Sequence, residues 1–206
     1  MSLANRSNSG SFPVVRGSRS SFQVLTNLFT RRFVRRDRII TVDMDGTVAD
    51  ISKRREYALQ FGPDGSVEYY NVLLDGQFYH LDEPIAASIE FLWEYSEKLK
   101  GNIVYLSGRR RGSEAQSEAW LRQHGFPAGD IVHRERGHRS LTFKKDWLQS
   151  FRRQAWVDAH FGDRLEDDGG AARFTGIKFI HIKDNTWPSF EETRALFSTG
   201  HGFSII

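Results

Sequence analysis

The chain of 206 residues contains no cysteine. Disulfides, thiolate zinc sites and cysteine nucleophiles are therefore excluded. Long hydrophobic runs are missing too: no apolar stretch approaches the roughly 20 residues that cross a bilayer, which predicts a soluble protein. The sequence also lacks a P-loop, the glycine-rich segment with which many kinases bind nucleotides. The residues present, 39% hydrophobic and 13% aromatic, suit the folded core of one domain.

Acidic residues are absent from the first 36 positions. Residues 1–36, the basic arm, contain seven arginines and seven serines but no Asp, Glu or Lys. The whole chain has a formal net charge of +3, so residues 37–206 carry −4 and the basicity belongs to the arm. Such a composition is typical of an organellar transit peptide, and equally of a disordered tail that contacts nucleic acid or membranes. The arm is left out of the predicted fold, and the location is cytoplasmic, or mitochondrial or plastid if the arm is a transit peptide.

Apolar runs alternate with helical patterns along the rest of the chain. Strands are predicted at 38–45, 102–108, 130–134, 155–163 and 177–182. Helices are predicted at 84–101, opened by Pro84, and at 113–125, capped by Ser113, followed by 140–154, 166–176 and 189–198. This alternation predicts an α/β fold with a Rossmann-like, doubly wound, mainly parallel sheet over residues 37–206. The polar and aromatic stretch at 51–83 predicts a small cap insertion after the first strand.

Polar side chains follow three of the predicted strands. Asp43 and Asp45 end the first strand, Ser107 ends the second and Asp163 follows the fourth. In parallel sheets the active crevice lies at the carboxyl ends of the strands, so these residues are expected to meet there. Taken alone, "DMDGT" (43–47) also fits an acidic turn without chemistry. The recurrence of polar residues at later strand ends favours a metal and phosphate site.

The motifs resemble those of the haloacid dehalogenase (HAD) superfamily of phosphohydrolases over residues 39–182. "DMDGT" is similar to its first motif, "YLSGR" (105–109) to the second, and "GDRLED" (162–167) to the fourth. The third motif is a lysine, either Lys144 or Lys145; Lys144 is preferred because the apolar residues of its helix would then turn it toward the strand ends. The resemblance implies a HAD-like fold and Mg²⁺-dependent hydrolysis of phosphomonoesters through an aspartyl-phosphate.

The resemblance also implies roles for individual residues. Asp43 would attack phosphorus, and Asp45 would protonate the leaving oxygen and then activate water. Superfamily members that cleave carbon–halogen or carbon–phosphorus bonds lack the second acid, so Asp45 indicates phosphate esters. Ser107 and Lys144 would bind the phosphate oxygens.

The remaining expectations concern the metal and the substrate. The expected Mg²⁺ ligands are Asp43, the Asp45 carbonyl and Asp163, with Asp167 binding through water or supporting the lysine. Thr47 would orient Asp45, and Met44, Thr47, Gly108 and Arg109 are expected near the substrate. Glu166 and Asp168 are interpreted as solvated charges, and Asp158 and His160 as structural residues.

Within the superfamily, "ADISKRREY" (49–57) and "AWLRQHGFP" (119–127) resemble the phosphatase module of polynucleotide kinase-phosphatases, which remove 3′-phosphates from nucleic-acid ends. Basic residues at 53–55, 109–111 and 133–139 either form a positive rim for such a substrate or balance nearby acids. The aromatic residues of the insertion either stack on a base or form its own core.

Two alternative functions stay open. One is a phosphatase of nucleotides or other small molecules, and the other is a non-catalytic module that binds a phosphorylated ligand. No protein partner is inferred from the sequence.

Overall fold

A computed structural model describes residues 37–197. Its strands are β1 (Arg38–Val42), β2 (Ala49–Asp50), β3 (Glu83–Pro84), β4 (Asn102–Arg110), β5 (Asp130–Arg134), β6 (Trp156–Gly162) and β7 (Phe179–His181). Five of them form a parallel sheet in the order β5-β4-β1-β6-β7. This confirms the predicted Rossmann-like α/β fold. The first strand lies in the middle of the sheet, so the residues that follow it reach the centre of the carboxyl edge.

The helices are α1 (Ser52–Leu59), α2 (Val67–Leu73), α3 (Ala86–Leu99), α4 (Glu114–Gln123), α5 (Ser140–Gln154), α6 (Gly170–Thr175) and α7 (Phe190–Phe197). A 3₁₀ turn spans Gly76–Leu81, and a single π turn spans Leu165–Gly169. Within 37–197 no helix is long and apolar enough to span a membrane. The predicted basic arm lies outside the described residues.

Helix α5 shows how the apolar pattern sets the orientation of a helix. Phe143, Trp147, Leu148 and Phe151 are buried on one side, at the spacing of successive helical turns. Their burial fixes the rotation of the helix about its axis. Residues at the amino end of α5 are thereby directed toward the carboxyl edge of the sheet.

Two predicted helix starts differ from the structure. Pro84 does not open a helix: it pairs with Ala49 in the antiparallel β2–β3 ribbon, and the Ile85 amide donates to the Val48 carbonyl at 2.9 Å. Helix α3 therefore starts at Ala86. Ser113 precedes α4 but makes no side-chain cap, because its hydroxyl donates instead to the Arg110 carbonyl at 2.7 Å.

The insertion between β2 and β3 contains α1, α2 and the 3₁₀ turn. Its interior is formed by Ala58, Tyr69, Leu73 and Tyr79, all buried. The rings of Tyr57, Phe61 and Phe78 pack beside one another, with centroids 5.2 Å and 5.1 Å from the Tyr57 ring. Of the insertion's six aromatic residues, Tyr69 and Tyr79 belong to its buried interior, whereas Phe61 is exposed and Tyr70 lines the central pocket.

Candidate active site

A pocket of about 530 Å³ opens at the carboxyl edge of the sheet. Asp43, Asp45, Lys144 and Asp163 all line it, as does Gly108. The structure brings these residues together at one edge, although they come from four separate segments. The volume lies within the range of pockets that hold ligands the size of a nucleotide.

Lys144 lies between two buried carboxylates. Its Nζ atom is 3.0 Å from Asp43 Oδ2 and 2.5 Å from Asp168 Oδ1, and the side chain is 1% exposed. Burial alone would lower the pKa of Lys144, but the charges of Asp168 and Asp43 outweigh it and raise the pKa. Lys145 lies on the outside of α5, with its Nζ 3.6 Å from Asp146. Of the two lysines in "FKK", the structure therefore brings Lys144 into the site.

The prediction that Asp168 is a solvated charge is wrong. This residue is fully buried, and its Oδ1 atom also lies 2.8 Å from His160 Nε2. The π turn at Leu165–Gly169 brings it inward, and the contacts with Lys144 and His160 offset the cost of burying the carboxylate. Asp167 instead pairs with Arg164 at 3.2 Å beside the pocket. Glu166 is exposed, as expected.

We call Asp43, Asp163, Asp168 and Lys144 the core-side cluster. The three carboxylates each offer an oxygen within 4.8 Å of the other two. Three of their oxygen atoms are buried without a hydrogen-bond partner: Asp43 Oδ1, Asp163 Oδ1 and Asp168 Oδ2. Burial raises the pKa of Asp43 well above its usual value, and Lys144 offsets this only in part. Burial and the neighbouring Asp168 raise the pKa of Asp163 to about 6.

The core-side cluster therefore has more negative than positive charge and free oxygen ligands. Both properties fit a hard divalent cation, which prefers oxygen donors. Gly46 allows the cluster to form, because a Cβ atom at this position would lie only 2.4 Å from Asp163 Oδ2. Its positive φ of 78° also favours glycine.

A second group of charges lies on the insertion side of Asp45. We call Asp45, Asp82, Arg54 and Arg109 the cap-side cluster. Asp45 Oδ1 accepts from Arg54 Nη2 at 2.7 Å and from Arg109 Nε at 2.8 Å. Asp82 accepts from the same two guanidinium groups, at 2.8 Å from Arg54 and 2.7 Å from Arg109.

Both arginines of the cap-side cluster are fully buried. The Tyr79 ring lies against them, with its centroid 3.9 Å from Arg109 Cζ and 4.8 Å from Arg54 Cζ. Burial alone would raise the pKa of Asp45, but the charges of Arg109 and Arg54 lower it below the usual range. Asp45 is therefore ionised in this arrangement.

Three of the residues expected near the substrate have side chains that do not line the pocket. Arg109 is fully buried and bonds to Asp45 and Asp82. Thr47 does not orient Asp45: its buried hydroxyl has no hydrogen-bond partner, and the two arginines hold the carboxylate instead. The Met44 side chain belongs to the hydrophobic core. Ser107 is buried, and its Oγ atom accepts from the Arg109 amide at 3.3 Å.

The contacts of Asp158 and His160 agree with their interpretation as structural residues. Asp158 accepts from Arg38 and from the Tyr95 hydroxyl at 2.9 Å, at the end of the sheet away from the pocket residues. His160 lies between the Thr41 hydroxyl and Asp168, at 2.9 Å and 2.8 Å.

Arg54, Asp82 and Asp168 are site residues that the sequence reasoning missed. Arg54 stands in a run of three basic residues, and only its burial on the same face as Ala58 distinguishes it from its neighbours. Asp82 and Asp168 lie beside other acids in "LDEP" and "GDRLEDD". No local pattern marks which acid is turned inward.

Several solved structures resemble this chain in fold. One match is a class C acid phosphatase from Bacillus anthracis with tungstate bound: 17% identity, TM-score 0.53, covering 87% of this chain and 80% of that one. Another is the HAD domain of effector protein Lem4 from Legionella pneumophila: 14% identity, TM-score 0.50, covering 81% and 95%. This chain has the HAD fold. No family model and no curated protein sequence matches it.

A third match with the HAD fold comes from the Pnkp1/Rnl/Hen1 RNA repair complex. It has 13% identity and a TM-score of 0.54, and it covers 73% of this chain. This chain spans only 45% of the matched protein. Asp43, Asp45 and Asp163 follow β1 and β6, and Arg109 lies at the end of β4, so both charge clusters include residues from the carboxyl edge of the sheet.

Proposed function

We propose that this protein is a phosphatase that hydrolyses phosphate monoesters, with Asp43 as nucleophile and Mg²⁺ as cofactor. The observation that carries the proposal is the position of Asp43. It lies at the centre of the sheet's carboxyl edge and lines the pocket, with one oxygen held by Lys144 and the other without a hydrogen-bond partner. A buried carboxylate oxygen of this kind is suited to bind a metal or attack phosphorus.

Asp43, Asp163 and Asp168 would hold the cation, with the Asp45 carbonyl as a further ligand and Asp167 bound through water. When bound, Mg²⁺ neutralises charge between a carboxylate and a phosphate dianion. Lys144 orients Asp43 and adds positive charge beside the phosphate, and Ser107 is proposed to bind a phosphate oxygen. Asp43 attacks phosphorus, the bond to the leaving oxygen breaks, and an aspartyl-phosphate forms.

Asp45 is proposed to move the protons. In the second half-reaction, water attacks phosphorus, the P–O bond to Asp43 breaks and inorganic phosphate leaves, while the water's proton passes to Asp45, which the cap-side arginines keep ionised. In the first half-reaction Asp45 must instead deliver a proton, taken from solvent or kept from the water of the preceding turnover, to the leaving oxygen. Its contacts with Arg54 and Arg109 must therefore loosen when the substrate binds, because those contacts favour the charged form.

Nucleic-acid 3′-phosphate ends are the proposed substrate class, with smaller phosphomonoesters as the alternative. The pocket combines Tyr70 with the apolar residues Ile51, Leu73 and Leu74, a surface suited to a nucleoside. Among the matched structures, one phosphatase holds tungstate, an oxyanion like phosphate, and another protein belongs to an RNA repair complex. A 3′-phosphorylated oligonucleotide should accordingly be hydrolysed faster than the matching mononucleotide.

The test is the hydrolysis of p-nitrophenyl phosphate by the full chain, with and without Mg²⁺. Asp43→Asn should reduce kcat by about 10⁴-fold or more, since loss of a nucleophile typically has effects of this order. Asp50→Asn is the matched control. Asp50 belongs to the same segment, but its carboxylate accepts hydrogen bonds from the Ser52 hydroxyl and the Asn185 side-chain amide. Undiminished turnover in Asp43→Asn would refute the mechanism. Phosphate binding without turnover of any phosphoester would favour the non-catalytic alternative.

A further inference from the structure

Five basic side chains and four carboxylates line the pocket, so positive charge remains beside the phosphate position once the proposed cation is bound. Lys144 and the proposed cation already face the phosphate position. Four arginines nevertheless line the same pocket: Arg55, Arg134, Arg139 and Arg164. In contrast to Arg54 and Arg109, none of the four is fully buried.

Arg134 organises the wall that carries these charges. Its Nε atom donates to the Gly108 carbonyl at 3.2 Å, and its Nη1 atom donates to the His138 carbonyl at 2.9 Å. These two bonds hold the loop 135–139 beside the end of β4. Arg139 is the last residue of this loop and is exposed at the pocket.

The arginines on this wall repel one another. Burial lowers the pKa of Arg134, and the charges of Arg164 and Arg110 lower it further, while Asp167 acts in the opposite direction. Asp167 already pairs with Arg164. The wall therefore has positive charge that an anion in the pocket would neutralise, and guanidinium groups are well suited to phosphate oxygens.

We propose that Arg134, Arg139 and Arg164 form a second anion site, which binds a second phosphate group of the substrate. The inference deepens the proposed function and rests on it: the best substrate carries a terminal 3′-phosphate and a further phosphate on the same or the adjacent nucleotide. The second phosphate comes either from the 5′-position of a nucleoside bisphosphate or from the phosphodiester of an oligonucleotide.

The experiment compares kcat/KM for a nucleoside 3′-monophosphate, a nucleoside 3′,5′-bisphosphate and a dinucleotide with a 3′-phosphate. The wild-type chain should prefer one of the two substrates with a second phosphate group by about tenfold, the effect of a charge-assisted contact. Arg139→Ala should reduce that preference to about twofold or less. Added NaCl should also reduce it, because salt screens exposed charges. The substrate with the higher value identifies the source of the second phosphate.

Arg136→Ala is the matched control. Arg136 is exposed three residues before Arg139 and does not line the pocket, so its removal changes the net charge equally. It should retain the wild-type preference. Equal loss in both variants, or equal kcat/KM for all three substrates in the wild-type chain, would overturn the second anion site.

A binding measurement separates this inference from the proposed function. Calorimetric titration of the full-length Asp43→Asn variant with the same three nucleotides reports affinity without turnover. Tighter binding of the bisphosphate or the dinucleotide, lost in Asp43→Asn/Arg139→Ala, supports the second site even if the wild-type chain hydrolyses nothing. Equal affinity for all three nucleotides contradicts the site, even in an active phosphatase.

Discussion

The two charge clusters lie side by side, yet their composition is opposite. The core-side cluster has three carboxylates and one lysine, and three of its oxygens have no hydrogen-bond partner. The cap-side cluster has two carboxylates and two arginines joined by four hydrogen bonds. Burial and the neighbouring acids raise the pKa of Asp43, whereas Arg109 and Arg54 lower that of Asp45 against the effect of its burial.

The difference shows how two aspartates only two positions apart acquire different properties. Asp43 lies where negative charge is in excess, so a cation or a proton is favoured there. Asp45 lies where arginine charge compensates it, so it remains ionised without a metal. The surroundings, rather than the residue type, separate the proposed nucleophile from the proposed proton carrier.

The largest loss of stability is expected from removing the positive charge of the core-side cluster. Lys144→Met should lower the free energy of unfolding by about 3–5 kcal/mol, because it leaves buried carboxylates without a counter-charge. Added Mg²⁺ should recover part of this loss. Lys145→Met, at an exposed position, should change it by less than about 0.5 kcal/mol. Urea denaturation of both variants measures the difference, and equal stabilities would mean that Lys144 does not balance the cluster.

A smaller loss is expected from the cap-side cluster, where one arginine remains after the other is removed. Arg54→Met should destabilise the protein by about 3 kcal/mol. The double variant Arg54→Met/Asp82→Asn should recover part of that loss, since the second change removes the negative charge left in excess of the remaining arginine. Arg55→Met, with an exposed side chain, serves as the control for stability. Additive losses in a double-mutant cycle would show that Arg54 and Asp82 are not coupled.

The smallest effect on stability is expected for His133. Its Nδ1 atom contacts the Ser113 hydroxyl, which in turn contacts the hydroxyl of Tyr79, the ring packed against the cap-side cluster. Burial lowers the pKa of His133 to about 4 from 6.5. The unfolded chain therefore takes up a proton first as the pH falls below about 6.5. This group's contribution to stability is complete above that pH and is lost between about 6.5 and 4, with a slope of at most ~1.4 kcal/mol per pH unit.

The measurement is the free energy of unfolding from pH 7 to pH 4. His133→Gln should remove this group's share of the slope, so the variant should lose less stability than the wild-type chain as the pH falls across this window, whereas His138→Gln, which changes an exposed side chain nearby, should leave the wild-type slope. An unchanged slope in His133→Gln would show that the buried imidazole is not its source.

The sequence was sufficient for the succession of the sheet's strands along the chain and for the polar residues that directly follow them. Apolar runs and helical spacing are local signals, and the strand ends of a parallel sheet necessarily meet at one edge. Lys144 could also be preferred over Lys145, because the apolar residues in the sequence indicate which face of α5 is buried: Phe143, Trp147, Leu148 and Phe151.

The partners of the acids could not be predicted in the same way. Arg54, Asp82 and Arg109 come from three segments, and only tertiary packing brings them together around Asp45. Asp168 was misinterpreted because a single π turn, rather than an ordinary helical turn, determines which acid of "LEDD" faces inward. Such choices depend on contacts more than 20 positions away, including Lys144.

Arg54 also constrains how this protein can be re-engineered. It belongs to the insertion, yet it bonds to Asp45 outside the insertion and to the Leu73 carbonyl within it. Exchanging residues 51–83 for a different cap would therefore remove half of the positive charge that keeps Asp45 ionised. A cap transplant intended to change substrate preference would alter the acid–base chemistry as well, unless the new segment places a cation at the same position.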